Sequence, residues 1–249
     1  MPAPIRIHLL PKLFEPTELA GGVAVIIDVL RASTTMIQAL HSGVQRIIPC
    51  ASVDEVEQRA AEFPRGERVL GGERHGLLIA GFDLDNSPRR YTSERVGGQT
   101  LVFTTTNGTL ALRRSMAAMR IYVGAFVNRE AIIDRLTDES RPIHLICAGT
   151  DGQMTAEDIL FAGAVAGRLL QVHHESHTNL DIATHMAVEF ADRHAATPEG
   201  ILRTLRRSIG GRNLQQLGME ADVDYASRCD TLPVVPVWDA ASQSLVASG

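Results

Sequence analysis

Aromatic residues and cysteines are scarce in this sequence. Phe, Trp and Tyr make up only 4% of the 249 residues, whereas Ala, Val, Ile, Leu and Gly are abundant. This composition favours helices that pack closely against a sheet. The three cysteines, Cys50, Cys147 and Cys229, are widely spaced and form no CxxC pair, which argues against a zinc site or a redox dithiol. Their odd number is typical of a reducing compartment.

Long apolar runs are also missing. No stretch approaches the roughly 18–20 apolar residues of a membrane span, and the N-terminal segment lacks the apolar run of a signal peptide. We therefore expect a cytoplasmic protein with no membrane partner. The net charge of −5 argues against a nucleic-acid partner, because general nucleic-acid binders are usually basic. A net charge of this size is nevertheless compatible with a local basic pocket that binds a small anion.

Several familiar motifs are absent. The chain has no GxxxxGK[ST] and no GxGxxG after a predicted strand, so neither a P-loop nor a dinucleotide site is indicated. Asp28 directly follows the apolar run VAVII, as in enzymes with a phospho-aspartate nucleophile. Those enzymes carry a second Asp two positions later, where this chain has Leu30. The histidine-rich run 173–177 has no HExxH spacing, and we interpret it as a solvated loop.

Short apolar runs alternate with amphipathic runs along most of the chain. The predicted strands are Val23–Ile27, Arg46–Cys50, one starting at 69–70, 99–104, 121–123 and Ile143–Cys147. The predicted helices are 33–42, 52 to about 63, 109–119, 128 to about 137 and 155 to about 170. This alternation predicts an α/β fold whose largely parallel sheet is covered by helices on both faces.

The C-terminal part, from about residue 171, is predicted to be mainly helical. Its helices are expected at 181–193, Pro198–Arg207 and 213–217, before a last strand at 234–238. We place that strand at an edge of the sheet, because Pro236 cannot donate to a neighbouring strand. No Pro/Gly-rich linker divides the chain, so we expect a single domain over 1–249. The long polar loop 71–98 is typical of a functional segment.

Polar side chains follow the predicted strands at the points where each strand ends. In an open parallel sheet, ligands bind outside these carboxyl ends. Hydroxyl, Asn and Gly residues begin two helices, in RAST (31–34) and in TTTNGT (104–109). The free N–H groups of such a helix start can bind an anion. The alternative for each turn alone is an ordinary N-cap.

Four carboxylates, Asp28, Glu73, Glu157 and Asp158, occupy the same kind of position. A charge at the end of an apolar run, as at Asp28, must be paired or liganded. Hard oxygen ligands beside a phosphate are how proteins hold Mg²⁺, so the combination indicates metal-assisted phosphoryl chemistry. The alternative for Glu157 and Asp158 is a favourable interaction with the helix N-terminus.

The basic residues leave alternatives open. Arg31 either binds an anion or forms a surface ion pair. The run 203–212 is typical of a solvated helix face, from which Arg207 or Arg212 could reach an anionic substrate.

Five segments, taken together and in order, resemble the signatures of the 2-phosphosulfolactate phosphatase family. They are IDVLRASTT, LGGER, GFDLDNSP, TTTNGT and CAG…TAEDILFAGA. The later stretch SIGGRNLQQLGMEADVDYA and the VVP of the last predicted strand resemble it too. The resemblance implies a three-layer α/β/α sandwich with some antiparallel strands. It also implies a Mg²⁺-dependent phosphatase that converts (R)-2-phospho-3-sulfolactate to 3-sulfolactate and phosphate, a step in coenzyme M biosynthesis.

With this resemblance, the motifs receive specific roles. We expect Asp28 and Glu73 to hold Mg²⁺, and Asp158 or Glu157 to be a further ligand or the base, with Asp158 preferred as the base. Arg31 is expected to bind the phosphate through two parallel hydrogen bonds, and Arg74 or Arg212 the sulfonate or carboxylate. The remaining substrate-binding donors are expected to be Asn86, Ser87, Thr105, Thr106, Asn107, Gly108 and Thr109.

One position departs from the family pattern. Asp85 stands where the family usually has Gly, within GFDLDNSP. If that Gly adopts a positive φ, Asp is among the few tolerable replacements; if it makes room for the substrate, Asp85 would clash with the substrate or repel it. Two alternative functions also remain at this stage, a covalent route through a phospho-aspartate at Asp28 and a non-catalytic anion-binding protein. A homodimer is compatible with the sequence.

Overall fold

The computed structural model describes residues 3–174 and 180–248 and shows a ten-stranded mixed sheet with helices on both faces. The strands are β1 (Ile5–His8), β2 (Val23–Ile27), β3 (Arg46–Cys50), β4 (Arg68–Arg74), β5 (Leu77–Leu78), β6 (Thr100–Thr104), β7 (Arg120–Gly124), β8 (Ile143–Cys147), β9 (Pro236–Asp239) and β10 (Ser244–Ala247). The predicted α/β class and the mixed, largely parallel sheet are confirmed.

Most helices lie where helices were predicted. The helices are α1 (Ala32–His41), α2 (Val53–Ala60), α3 (Ser93–Val96), α4 (Gly108–Arg114), α5 (Arg129–Thr137), α6 (Ala156–Val172), α7 (Ile182–His194), α8 (Pro198–Arg207), α9 (Ile209–Gln216) and α10 (Glu220–Ala226). However, α3 and α10 were not predicted, α4 ends five residues earlier than predicted and α9 begins four residues earlier. None of these helices in the described ranges is long and apolar enough to cross a membrane. Part of the histidine-rich run, residues 175–177, lies outside the described residues.

The strand order is β1-β8-β2-β7-β9-β10-β3-β6-β4-β5. Two parallel blocks, β1-β8-β2-β7 and β3-β6-β4, are joined by the antiparallel hairpin β9–β10. The prediction of an edge position for the Pro236 strand is therefore wrong. Pro236 is the first residue of β9, a position where the missing N–H is tolerated, and β9 meets β7 through the single registered pair Tyr122–Val237.

Alternate residues of β2 face two different cores. Val23, Val25 and Ile27 pack with the layer formed by α5–α10. Ala24 and Ile26 pack with α1 and α4 on the other face. Because both faces are covered, all five residues of β2 are buried, which explains its continuous apolar sequence.

The sheet is strongly curved around α1. In the strand order, β2 and β6 lie five strands apart, which would separate them by about 24 Å in a flat sheet. Yet a Cβ added to Gly108, just after β6, would lie 3.0 Å from Oδ2 of Asp28, just after β2. The segments that follow the two strands therefore meet, and most of the predicted site residues lie at or next to this junction.

The two longest helices, α6 and α7, provide a test of the packing. A Cβ added to Gly163 of α6 would overlap the backbone carbonyl of Ala187 in α7. One turn later, a Cβ on Gly167 would meet Val188 at an ordinary 3.5 Å.

We predict that Gly163→Ala lowers the free energy of unfolding by about 1–3 kcal/mol, because a backbone atom cannot move aside as a side chain can. Gly167→Ala on the same helix face is the control and should raise it by up to about 1 kcal/mol through helix propensity. Urea denaturation measures both. Equal effects of the two substitutions would contradict this account of the α6–α7 contact.

Candidate active site

A cleft of about 250 Å³ lies at the junction of the two parallel blocks. Its lining comes from the segments that follow β2, β4, β6 and β8, from the loop that precedes α3, and from α9. The lining residues are Asp28, Leu30, Arg31, Glu73, His75, Gly76, Asn86, Thr105, Thr106, Asn107, Thr150, Asp151, Gly210, Asn213, Leu214, Gln216 and Leu217. The cleft thus occupies the sheet edge at which ligands bind in α/β proteins.

Asp28 is the first residue after β2, and its side chain is buried at the floor of the cleft. Oδ1 accepts a hydrogen bond from the Ala32 N–H at 3.2 Å, and the backbone N–H of Asp28 donates to Oγ of Ser33 at 2.9 Å. Burial raises the pKa of Asp28 well above its usual value, and the nearby Asp158 raises it further. The negative form of Asp28 therefore needs a compensating positive charge.

Glu73, near the end of β4, joins two walls of the cleft. Oε1 accepts hydrogen bonds from the N–H and the hydroxyl of Thr106 at 2.9 and 3.0 Å. Oε2 accepts from the N–H of Gly76 at 2.7 Å. Gly76 and His75 both have positive φ and form the tight turn between β4 and β5. Glu73 thus holds this turn against the threonine-rich loop.

The threonine-rich loop connects β6 to α4. Thr105, Thr106 and Asn107 line the cleft, whereas Gly108 and Thr109 lie behind this lining. Oγ1 of Thr109 accepts from the Thr105 N–H at 3.4 Å, and Oδ1 of Asn107 accepts from the Asp151 N–H at 3.1 Å. A Cβ on Gly108 would lie 2.8 Å from the Cβ of Ala32 and 3.0 Å from Oδ2 of Asp28. The absence of a side chain at Gly108 therefore leaves space for Asp28.

Asp158 and Glu157 lie at the start of α6, behind the lining of the cleft. Oδ1 of Asp158 accepts from the Val29 N–H and Oδ2 from the Gly149 N–H, both at 2.9 Å. Asp158 therefore fixes the turns that follow β2 and β8. Burial raises the pKa of Asp158 to about 6, although the backbone hydrogen bonds oppose this shift.

Glu157 differs from Asp158 in its hydrogen bonding. Its Oε2 has no hydrogen-bond partner among the described residues, and neither has Oγ1 of the adjacent Thr155. Burial and the neighbouring Asp158 raise the pKa of Glu157 to about 8. A Cβ on Gly210 would overlap Oε1 of Glu157, so this glycine lets α9 approach the carboxyl from the cleft side.

Arg31 lines the cleft with a guanidinium that is almost completely buried. It donates to Oδ2 of Asp222 at 2.7 Å, to Sδ of Met219 at 3.0 Å and to the carbonyl of Gly76 at 2.9 Å. The alternative of a surface ion pair for Arg31 is therefore wrong, because the pair is buried.

The long loop brings Asn86 and Ser87 to the same region. Asn86 lines the cleft, and within the described chain its buried Oδ1 has no hydrogen-bond partner. The hydroxyl of Ser87 donates to Oδ1 of Asp222 at 2.7 Å, so its donor is already used. Asn86 thus offers an unpaired polar atom, whereas Ser87 supports the wall behind it.

Arg74 and Arg212 lie outside the lining of the cleft. Arg74 donates to the Glu73 carbonyl at 2.7 Å and to Oγ1 of Thr104 at 3.1 Å. Arg212 is exposed and donates to the carbonyl of Arg207.

Several lining residues were not predicted as site residues. His75, Thr150 and Asp151 follow predicted strands, and this position alone could have indicated them. Asn213 and Gln216 come from α9, which lies far along the chain from the strands, and only its presence in a family-like segment pointed to it. The ionisable side chains of the lining are the carboxylates of Asp28, Glu73 and Asp151, the guanidinium of Arg31 and the imidazole of His75.

Asp85 lies outside this cleft. Oδ1 accepts the N–H of Ser87 at 3.0 Å, and Oδ2 lies 3.5 Å from Nε of Arg90. Its φ is not positive. The positive-φ explanation for this position is therefore wrong. The Asp85 carboxylate is engaged in a turn of its own loop and does not line the cleft.

The donor set of the cleft matches some of the preferences of a divalent cation. Within residues 3–174 and 180–248, no group of three His, Cys, Asp or Glu side chains has the arrangement of a metal site. Mg²⁺ is commonly held by only one or two carboxylates together with waters and substrate phosphate. The hard oxygens of Asp28 and Glu73, with the unpaired Oδ1 of Asn86 in the same lining, fit that pattern.

An α/β fold with a carboxylate-rich cleft and a buried arginine at its strand ends defines a candidate enzyme acting on a small anion. Residues 8–241 match the model of the 2-phosphosulpholactate phosphatase family. The chain belongs to this family.

Similar proteins cover nearly the same length. A probable 2-phosphosulfolactate phosphatase of Symbiobacterium thermophilum is 39% identical over 221 residues, covering 89% of this chain and 93% of its own. Proteins with the same description from Clostridium beijerinckii and Synechococcus sp. strain CC9605 are 34% and 38% identical. These alignments cover 88% and 89% of this chain and 90% of each relative.

The raised pKa of Glu157 predicts a pH effect on stability. Between pH 4.5 and about 8, the carboxyl of Glu157 stays protonated in the native state but is ionised in the unfolded chain. The free energy of unfolding should therefore fall as pH rises through this window, by at most about 1.4 kcal/mol per pH unit. Glu157→Gln should reduce this slope in urea unfolding measured in EDTA. An unchanged slope would contradict the burial assigned to Glu157.

Asp85→Gly restores the residue usual in the family. It should cost about 1 kcal/mol of stability through the lost turn hydrogen bond. It should leave kcat/KM within about threefold, since the Asp85 carboxylate does not line the cleft. Steady-state kinetics with 2-phosphosulfolactate measure this ratio. A much larger gain or loss of kcat/KM would place Asp85 at the substrate.

Proposed function

We propose that this protein is a Mg²⁺-dependent phosphatase that hydrolyses 2-phospho-3-sulfolactate to 3-sulfolactate and phosphate. Its place in the family and the printed names of its relatives support the substrate. The observation that carries the proposal is the meeting of Asp28, Glu73, Arg31 and the threonine-rich loop in one cleft. The two carboxylates come from strands that are remote in the sheet, and both line the same cleft.

The charges of the cleft support a bound cation. The lining carries three carboxylates against one guanidinium, and that guanidinium is already paired with Asp222. A substrate with a phosphate, a sulfonate and a carboxylate would add further negative charge. Repulsion of this kind costs several kcal/mol at short range in a partly buried site, so binding requires a counter-charge.

We assign the cation to Asp28 and Glu73, with Glu157 or Asp158 as the further ligand or base. When bound, Mg²⁺ polarises the phosphoryl group and lowers the pKa of a coordinated water. Of the two remaining carboxylates, Glu157 has the oxygen without a hydrogen-bond partner, and the proton that burial keeps on it would be displaced by a bound cation. Asp158 keeps both oxygens on backbone N–H groups, which supports a role in holding the Asp28 turn in place.

The protein's donors orient the substrate. Arg31 and the N–H and hydroxyl groups of Thr105 and Thr106 would bind phosphate oxygens, since charge-assisted and multiple hydrogen bonds favour a phosphate. His75, Asn213 and Gln216 lie in the same lining. We propose that they take the sulfonate or carboxylate, the role expected for Arg74 or Arg212, whose guanidinium groups do not line the cleft.

The biological setting forms part of the same proposal. We propose that the enzyme acts in the cytoplasm on a small phosphate ester, without nucleic acid as a partner, as a step of coenzyme M biosynthesis. A homodimer remains compatible with this setting.

We predict that the protein releases phosphate from 2-phospho-3-sulfolactate with Mg²⁺ and that EDTA abolishes this activity. Asp28→Asn should lower kcat by at least about 100-fold, because it removes a negative ligand from the reacting site. Asp134→Asn, on the exposed side of α5, is the matched control and should leave kcat unchanged.

Circular dichroism should show both variants folded. Full activity of Asp28→Asn would exclude the proposed cation ligand. Failure of the unsubstituted protein to hydrolyse any of a panel of phosphorylated hydroxy acids would favour a non-catalytic anion-binding protein.

A further inference from the structure

The side-chain hydrogen bonds of Asp222 in α10 reach two segments that carry cleft residues. Its side chain is buried, and each oxygen accepts one hydrogen bond at 2.7 Å, Oδ2 from Arg31 and Oδ1 from Ser87. These partners are 191 and 135 residues away along the chain. One carboxylate therefore joins the turn after β2 to the long loop.

The two partners of Asp222 belong to segments that carry cleft residues. Arg31 itself lines the cleft, and Ser87 follows Asn86, whose buried Oδ1 is unpaired within the described chain. Through Asp222, α10 thus connects the segment that carries Arg31 to the segment that carries Asn86.

The guanidinium of Arg31 is held through both terminal nitrogens, by three hydrogen bonds. Asp222 and Met219 accept from Nη1, and the Gly76 carbonyl accepts from Nη2. A guanidinium has five N–H donors in a rigid plane, so these contacts leave donors of Nη2 and Nε for an anion. A flexible arginine side chain loses much conformational entropy on binding unless it is already held.

We infer that Asp222, anchored to the long loop through Ser87, is a positioning residue that holds Arg31 in place for the anionic substrate. This inference rests on the proposed function for the nature of the substrate. It assigns the C-terminal helix α10 a part in binding, although α10 itself contributes no residue to the lining of the cleft.

A neighbouring residue on the same helix provides the matched control. Asp224 also pairs with an arginine, Arg206, at 2.8 Å, but both side chains are about half exposed. An exposed pair of this kind contributes little. Asp224→Asn therefore repeats the chemical change of Asp222→Asn on the same helix without touching the cleft.

The test is a double-mutant cycle on Asp222→Asn and Arg31→Lys. Each single variant should lower kcat/KM by about tenfold or more, and the double variant should be within about threefold of Arg31→Lys, because Asp222 acts through Arg31. Asp224→Asn should leave kcat/KM within about twofold. If the double variant loses kcat/KM by the product of the two single losses, the inference is overturned. A purely structural role of Asp222 predicts this result, because the two losses would then be independent. If Asp222→Asn does not fold, Asp222→Glu enters the same cycle.

Calorimetric binding of inorganic phosphate separates this inference from the proposed function. Asp222→Asn should weaken phosphate binding by about fivefold or more in the unsubstituted background, and by less than about twofold in the Arg31→Lys background. Equal affinities of the unsubstituted protein and Asp222→Asn, or no phosphate binding at all, would overturn the positioning role even if hydrolysis is observed. If phosphate binding changes as predicted but the protein hydrolyses no phosphate ester, the positioning role stands and only the phosphatase activity is excluded.

Discussion

The burial of Asp28 among other carboxylates is the constraint on which the site depends. Its side chain sits at the floor of the cleft, where burial and Asp158 both raise its pKa. A group of this kind persists only if some other interaction compensates it. The surrounding structure is arranged accordingly, because Asp158 and Glu73 use backbone N–H groups to hold the neighbouring turns. A cation is the compensating partner that we propose for this arrangement, with an anionic ester as the substrate beside it.

Curvature of the sheet turns these local features into one site. The hairpin β9–β10 joins the two parallel blocks, and α1 fills the concave face between them. As a result, the turn after β2 meets the turns after β4 and β6, although these strands are far apart in the sheet. The small residue Gly108 allows this approach at the side of Asp28. Fold and site are thus linked through the packing of α1 and α4.

The sequence predicted the parallel blocks well because their strands are buried on both faces and bounded by helix starts. The strand-end rule also indicated Asp28, Glu73 and the threonine-rich loop, all of which lie at the cleft. The position of β9 was wrong, because periodicity does not reveal which strands become neighbours. The sequence indicated α9 through Arg212, but the residues of α9 that line the cleft are others, among them Asn213 and Gln216. These and the contacts of Asp222 could not be predicted, since they depend on pairing between segments more than 100 residues apart.

Binding of Mg²⁺ measured by titration calorimetry tests the central claim most directly. If Asp28 and Glu73 hold the cation, the unsubstituted protein binds Mg²⁺, inorganic phosphate strengthens this binding, and Asp28→Asn and Glu73→Gln each weaken it by about tenfold or more. The same Mg²⁺ affinity in all three proteins would contradict the account.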